Sequence, residues 1–567
     1  MAHEEPRIEH DVEKISVIRL QDDGENVQEI WCHKEETPPR KQLRRGLKPR
    51  HLSMIALGGA IGSGLIIGSG QGLANYGPGS LLIGYAATGL LCFVVITALG
   101  EMATWLPLGT SFPGYASRFV DPALGFALGW SYAFKYFFAA ANQLTSLALV
   151  IQFWVPRDHV NPGVFIAIFW LVVVIVNYLG VRVLGEVEFW LCTIKLLVLV
   201  GFIILGIVLA AGGGPNRHAT GFEYWSNPGA FKPYIAEGAT GKFLSVWAAL
   251  NSGVFAYLGT EMVGVTVGEA QNPRRAIPRA IRMTFWRICI FYITTIFLVG
   301  LLVPYNSSYL SFAEKSGHGA AASPFVAAVK VAGIKALPGI INAAVMVFNL
   351  SAAVTDVYVA SRTLYSLSSQ HQAPAFLSST NSKKIPFWAF TVAVSMALLA
   401  FMNVSDESTQ VFQYLVNLTT SFGLLTWVTI LISHIHFVRA RRAQEVTDSS
   451  LHFRAPFGLW GSVIALFFTI LVLLTKNFSV FTHGSWGNFD YKNFLTGYLG
   501  VVIYIVLTLG WKIWNKTKYV RASEADIWTG KAEVDQDEAE FLAQQAARTE
   551  SHGKFHRLYR HTLGYLV

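Results

Sequence analysis

Apolar runs about as long as a bilayer core is thick recur through most of this 567-residue chain. A helix rises about 1.5 Å per residue, so a hydrocarbon layer of roughly 30 Å takes about 20 residues. Such runs fall near 52–75, 79–101, 124–152, 163–180, 188–211, 243–267, 283–303, 337–367, 386–403, 409–437, 458–475 and 495–514. Inside lipid every backbone polar group must be bonded within the segment, so these runs predict an all-α membrane protein with twelve transmembrane helices. Charged residues make up 14% and hydrophobic ones 53%, where soluble domains carry about 25% charged residues. That balance excludes an ordinary soluble enzyme. The cysteines, Cys32, Cys92, Cys192 and Cys289, give neither a disulfide framework nor a zinc spacing.

Residues 1–45 and 521–567 are polar, the latter with an acidic run at Glu533, Asp535, Asp537, Glu538 and Glu540. Both are expected to be mostly disordered tails around a membrane domain at 46–520. No short apolar stretch near the start resembles a cleavable signal peptide. Positive charge gathers before the first span, after the sixth (Arg274, Arg275, Arg279, Arg282, Arg287), and after the eighth, tenth and twelfth. The alternate loops are poorer, so both termini are expected in the cytosol. This asymmetry accounts for the excess of 44 Lys and Arg over 35 Asp and Glu without a nucleic-acid partner.

Two spans contain residues that weaken a helix. The first reads Gly58-Gly59-Ala60-Ile61-Gly62-Ser63-Gly64-Leu65-Ile66-Ile67-Gly68, and each glycine weakens a helix by about 1 kcal/mol relative to alanine. Either it unwinds around a ligand, or its small residues form a packing face. The sixth span carries Gly259 and the carboxylate of Glu261 inside an apolar run. Breaks five helices apart are expected of a five-plus-five inverted repeat. There, half-helix N-termini suit a carboxylate and freed carbonyls suit an ammonium. Paired breaks therefore predict a zwitterion site.

These residues carry a family resemblance. Gly59-Ala60-Ile61-Gly62-Ser63-Gly64, Gly259-Thr260-Glu261 and Gly268-Glu269-Ala270-Gln271-Asn272-Pro273 resemble the fungal amino-acid permeases of the amino acid–polyamine–organocation superfamily. So do Leu99-Gly100-Glu101-Met102-Ala103 and Ala360-Ser361-Arg362-Thr363-Leu364-Tyr365, and the likeness runs from Arg45 to about Glu533. Within the family the chain is most similar to the dicarboxylic branch, through Lys135-Tyr136, Asn142-Gln143-Leu144-Thr145 and Gly185-Glu186-Val187-Glu188-Phe189-Trp190. It departs from that branch at Ala140-Ala141 and at Val354-Thr355-Asp356.

The resemblance implies the fold of LeuT-like transporters, with helices 1 and 6 broken, and a set of site residues. Ser63 and Gly64 match the turn that binds the substrate carboxylate; Leu258 and Gly259 face it with carbonyls for the ammonium. Phe255 and Tyr257 are expected as an aromatic gate, against ordinary packing. Lys195 is implied as a lysine that replaces a bound sodium ion in proton-coupled relatives, against snorkelling toward the interface. Glu261 either joins proton coupling or holds backbone in place. Lys135 either meets a substrate's side-chain carboxylate or pairs with Glu261 or Asp356. Asn142, Thr355, Asp356 and Thr420 are expected to line the site, although Asp356 would repel an acidic substrate. Glu101 and the arginine-rich loop belong with the cytosolic gate. His434 and His436 lack further ligands for a metal.

The expected function is secondary active import of amino acids across the plasma membrane by proton symport with alternating access. Glutamate or aspartate is the substrate class that the dicarboxylic resemblance implies. Neutral amino acids, proline or an amino-acid derivative are the alternatives, as are an exchanger and a non-transporting sensor. No covalent chemistry, cofactor or metal is expected. Lysines near Lys41 and Lys531 are candidate ubiquitin acceptors at the family level.

Overall fold

The computed structural model describes residues 17–18, 30–31, 62–108, 110–262, 264, 273–310, 323–381, 384–404, 408–482 and 489–550. In the unit formed by residues 1–45, β1 (Val17–Ile18) pairs antiparallel with β2 (Ile30–Trp31).

The second unit, 46–567, is almost wholly helical among the described residues. A π-helical turn, Gly64–Gly68, leads into α1 (Ser69–Tyr76). There follow α2 (Pro78–Trp105), the short α3 (Ser111–Phe119), α4 (Pro122–Ile151), α5 (Pro162–Tyr178), α6 (Val181–Ala210) and α7 (Gly238–Tyr257). Next, α8 (Pro273–Arg287) continues through a π turn, Ile288–Ile293, into α9 (Thr294–Leu302). The chain then forms α10 (Pro324–Val331), α11 (Leu337–Ser369) and α12 (Phe387–Ala397), which ends in a 3-10 stretch to Val404. Last come α13 (Ser408–Ala443), α14 (Gly458–Thr475), α15 (Tyr491–Asn515) and α16 (Lys531–Glu550).

Nine of the described helices are long and apolar enough to cross a bilayer, with α8–α9 counted as one; α5 is apolar but shorter. Local chemistry sets several starts. The Asp121 side chain accepts from Ala123 N at 2.9 Å ahead of Pro122, and Asn161 accepts from Gly163 N at 2.8 Å ahead of Pro162. Each combines an N-cap oxygen with a proline whose missing N–H costs nothing at the first helical position. Burial sorts the helices: 83% of the apolar window of α4 is enclosed, but only 17% of that of α15. Packed against α11 and α13, α4 is central, and α2 lies along α7.

Two expectations change. The arginine-rich segment after the sixth span is helical from Pro273 and continuous with the next span. Its buried Arg274 explains why: the guanidinium pairs with Asp535 and with Glu538, the latter at 2.6 Å. Residues 521–550 of the segment expected as a mostly disordered tail fold back onto the helix ends. Val520 N donates to Val120 O at 2.9 Å, Trp105 Nε1 to Ile527 O at 2.9 Å, and Gln444 Nε2 to Ala525 O at 2.7 Å. Ile527 is fully buried, and burying such a side chain is worth about 1.5–3 kcal/mol.

Candidate functional site

The site forms where two glycines let irregular backbone meet. α7 stops at Tyr257: Leu258 is extended at φ −60°, ψ 142°, and Gly259 has φ 95°. That left-handed region suits glycine, which has no Cβ to clash. Across from it stands Gly64, where an added Cβ would lie 2.7 Å from Ala256 Cα and 2.9 Å from the Phe255 carbonyl oxygen. The glycine-rich stretch was expected to unwind. Residues 64–68 instead form a π turn, whose wider i→i+5 bonding keeps the backbone paired. Gly58 to Ile61 lie outside the described residues.

Between these segments is a cavity of about 40 Å³, bordered by Ser63, Gly64, Phe255, Leu258, Gly259 and Lys135, with Gln143 and Asp356 beside them. It has room for a few waters rather than an amino acid, so the helices must separate to admit one. Ser63 is fully buried, and its Oγ has no hydrogen-bond partner among the described residues. The Gly259 carbonyl accepts from Met262 N at 3.1 Å, which leaves it a lone pair. A free hydroxyl and a half-used carbonyl can hold opposite ends of a small zwitterion.

Of the two readings of Lys135, the structure shows pairing. Its Nζ bonds Glu261 Oε1, both side chains being nearly or fully buried. The Glu261 oxygens also accept from Gly259 N, at 3.3 and 3.2 Å, and Oε2 from Trp427 Nε1 at 3.4 Å. Glu261 therefore ties α4 and α13 to the backbone just past α7. The Lys135 ammonium also lies 4.7 Å from the Tyr136 ring centroid and 5.2 Å from that of Tyr132, where the ring faces attract it.

The other expected residues are spread more widely. Lys195 is fully buried rather than snorkelling, and lies close enough to Asp356 for their charges to interact. On the same helix Glu188 accepts from Ser351 Oγ at 2.8 Å and from Cys192 Sγ at 3.1 Å. Phe255 borders both the central cavity and a second one of about 510 Å³, which Thr420 also lines. Tyr257 borders neither and stacks on Tyr292 with centroids 4.6 Å apart. Asn142 and Thr355 are buried without lining either cavity, their side-chain polar atoms unbonded among the described residues.

At the other end, buried Glu101 accepts from Ala455 N at 2.8 Å and faces His434 at 3.4 Å and Arg441 at 3.6 Å. His434 Nδ1 also meets Ser462 Oγ at 2.8 Å, and His436 Nε2 meets the Tyr519 hydroxyl at 2.9 Å. No cluster of three His, Cys, Asp or Glu side chains fit to hold a metal occurs among the described residues. Six bordering residues were missed from sequence: Gly62, Tyr136, Ala139, Gln143, Ala256 and Thr419. Helical spacing would have found Gln143, which lies eight residues beyond Lys135 and four beyond Ala139 on one face of α4.

Irregular backbone and a buried ion pair inside an apolar helix bundle define a membrane transporter, and sequence comparison defines which. Residues 51–523 match the family described as amino acid permease. The chain belongs to the amino acid permease family and is a multi-pass membrane protein. It is 46% identical over 518 residues to a dicarboxylic amino acid permease of Saccharomyces cerevisiae, covering 90% of this chain and 84% of that one. It is 43% identical to an uncharacterized amino-acid permease of Schizosaccharomyces pombe, covering 92% and 97%. To a proline-specific permease of Emericella nidulans it is 38% identical, covering 87% and 89%.

Proposed function

We propose that this permease imports acidic amino acids, glutamate or aspartate, across the plasma membrane by proton symport, with both termini in the cytosol. The observation that supports it most is the pair of facing backbone irregularities, Ser63–Gly64 and Leu258–Gly259, around one small cavity. Backbone of this kind at membrane depth is tolerated only around a cavity or ligand. Twelve spans in a five-plus-five inverted repeat, with the first and sixth broken, account for that placement. Ser63 and the neighbouring N–H groups hold the α-carboxylate, and Leu258 and Gly259 face the ammonium. The likeness to the yeast dicarboxylic permease favours an acidic substrate.

Proton coupling is assigned to the buried carboxylates and ammoniums around the cavity, Lys195 and Glu261 among them. Each is costly to bury unless paired, and a proton that enters or leaves with substrate changes which pairs are satisfied. Phe255 stands between the central and larger cavities and acts as the gate.

The test is uptake of labelled glutamate and a panel of other amino acids, at acidic and neutral outside pH, in permease-deficient yeast expressing the chain. Saturable glutamate uptake that rises with acidity and collapses in Lys195→Met is the expected result. Accumulation of proline or neutral amino acids alone would overturn the substrate. No accumulation from a protein that reaches the surface would overturn transport.

A further inference from the structure

An acidic amino acid carries one carboxylate more than the two ends that the central cavity can hold. Lys135, the one cation bordering that cavity among the described residues, is already paired with Glu261, and Asp356 stands beside it. A second anion entering there meets a spent cation and a carboxylate. Lys195 lies off the cavity, beside Glu188 and Asp356, and is itself partnered. Discrimination for a side-chain carboxylate therefore needs a cation elsewhere on the path.

The larger cavity offers one. It lies toward the end of the bundle opposite the folded-back tail. α13 reaches it with Phe412 and Gln413 near its start and touches the tail through Gln444 just past its end. Those 31 residues of helix span about 46 Å at 1.5 Å each. Lys476 borders this cavity just after α14 and is 8% exposed. Its Nζ donates to Asn417 O at 2.7 Å and to Ser421 Oγ at 2.6 Å. Both acceptors are neutral, and an ammonium has three N–H groups, so one donor remains unused among the described residues. No carboxylate pairs with it among the described residues. Asp490, the one carboxylate lining the cavity among the described residues, accepts from Asn493 N at 3.1 Å and Asn493 Nδ2 at 2.6 Å. Beside the lysine, Asn251 donates to the Lys476 carbonyl at 3.2 Å, and its buried Oδ1 has no partner among the described residues. A buried cation with a spare donor, next to an unpartnered amide oxygen, suits a carboxylate that also bears an ammonium.

We propose that the outer cavity is a docking site for dicarboxylic amino acids, in which Lys476 takes the side-chain carboxylate and Asn251 Oδ1 the ammonium, before Phe255 admits the molecule to the centre. This rests on the acidic-substrate reading above and locates its selectivity outside the central site.

The experiment compares KM and maximal rate for glutamate, and the inhibition constant of glutamine against it, in the wild type, Lys476→Gln, Lys476→Arg and Asn251→Asp. Surface amounts are measured for each. The isosteric Asn251→Asp sets a carboxylate in the cavity with little change of shape, so it tests the idea even where Lys476→Gln fails to reach the surface. A charge-assisted hydrogen bond lost in this way raises KM for glutamate about tenfold. In Lys476→Gln the maximal rate per surface molecule stays near wild type and glutamine inhibition is unchanged, and Lys476→Arg recovers most of the affinity. Unchanged glutamate KM in both Lys476→Gln and Asn251→Asp overturns the docking site. So does an equal rise for glutamate and glutamine, which would mark Lys476 as a structural tie between α13 and α14. A wild type that carries no acidic amino acid overturns the acidic-substrate reading itself, a result visible before any variant is compared.

Discussion

Replacing Lys135 by Met removes the ammonium but keeps most of the stem that packs beneath it. Glu261, wholly buried, would keep only neutral donors, Gly259 N at 3.2 Å and Trp427 Nε1 at 3.4 Å. Both are long for N–H···O bonds and recover little of the lost attraction. Breaking a buried ion pair from one side costs about 3–5 kcal/mol, or roughly two to four powers of ten in the folding equilibrium. Glu261→Gln strands the lysine in the same way and also loosens Gly259. The double variant Lys135→Met/Glu261→Gln leaves no charge at this pair, and it should lie within about 1–2 kcal/mol of wild type, since replacing both partners of a buried pair is often nearly neutral. Unfolding of purified protein by increasing SDS in dodecyl maltoside micelles, followed by tryptophan fluorescence, measures all four. A coupling energy of at least about 2 kcal/mol is expected, within the range for residues in direct contact. If the single losses simply add in the double variant, the pair does not hold the backbone past α7 and the reasoning fails.

Gly64→Ala places a methyl 2.7 Å from Ala256 Cα, backbone that cannot swing aside. Overpacking of this kind costs about 1–3 kcal/mol, and glutamate uptake per surface molecule should fall at least tenfold; wild-type uptake would sink the close-approach argument. Trp528→Ala removes an indole that contacts Trp105 edge-on at 5.7 Å and donates to Gln444 at 2.9 Å. Hydrogen exchange across 520–540 should speed up while that of α4 stays slow, and unchanged protection of 520–540 would refute the anchoring role. Partial burial raises the Asp535 carboxyl, but hydrogen bonds from Lys531 and Arg274 outweigh it and hold the carboxyl below its usual range. Its contribution to tail docking is therefore complete above about pH 4 and is lost as pH falls through the lowered value. Exchange in 530–540 should be insensitive to pH from 6 to 8, after correction for the intrinsic rate, and should accelerate only in strong acid.

The spans were legible because lipid imposes one rule on all of them, length and apolarity, which Leu, Ile, Val and Phe satisfy in any order. Gly64 and Gly259 stood out as weak points in apolar runs, and the structure places both at the central cavity. Composition hid what depends on a partner far along the chain. Arginines before Phe285 read as a loop, because only Asp535 and Glu538, some 260 residues on, make Arg274 worth burying in a helix. Lys135 carried two readings until Glu261 was placed against it. Asn142 drew attention over Gln143 although one residue turns a helix by about 100°, enough to decide which amide borders the cavity. Lys476 passed unnoticed, since a lysine at the end of an apolar run normally anchors a helix at the membrane surface.

Most of α15 faces away from the rest of the bundle, with Ile513 77% and Trp514 86% exposed. Lipid is thus as much its neighbour as protein is, and surrounding acyl chains act as an extra subunit. The chain runs straight from α15 into the segment that covers the opposite end from the larger cavity. Stripping annular lipid should therefore loosen α15 first and carry that covering away with it. A preparation that looks monodisperse in harsh detergent would then have lost that covering.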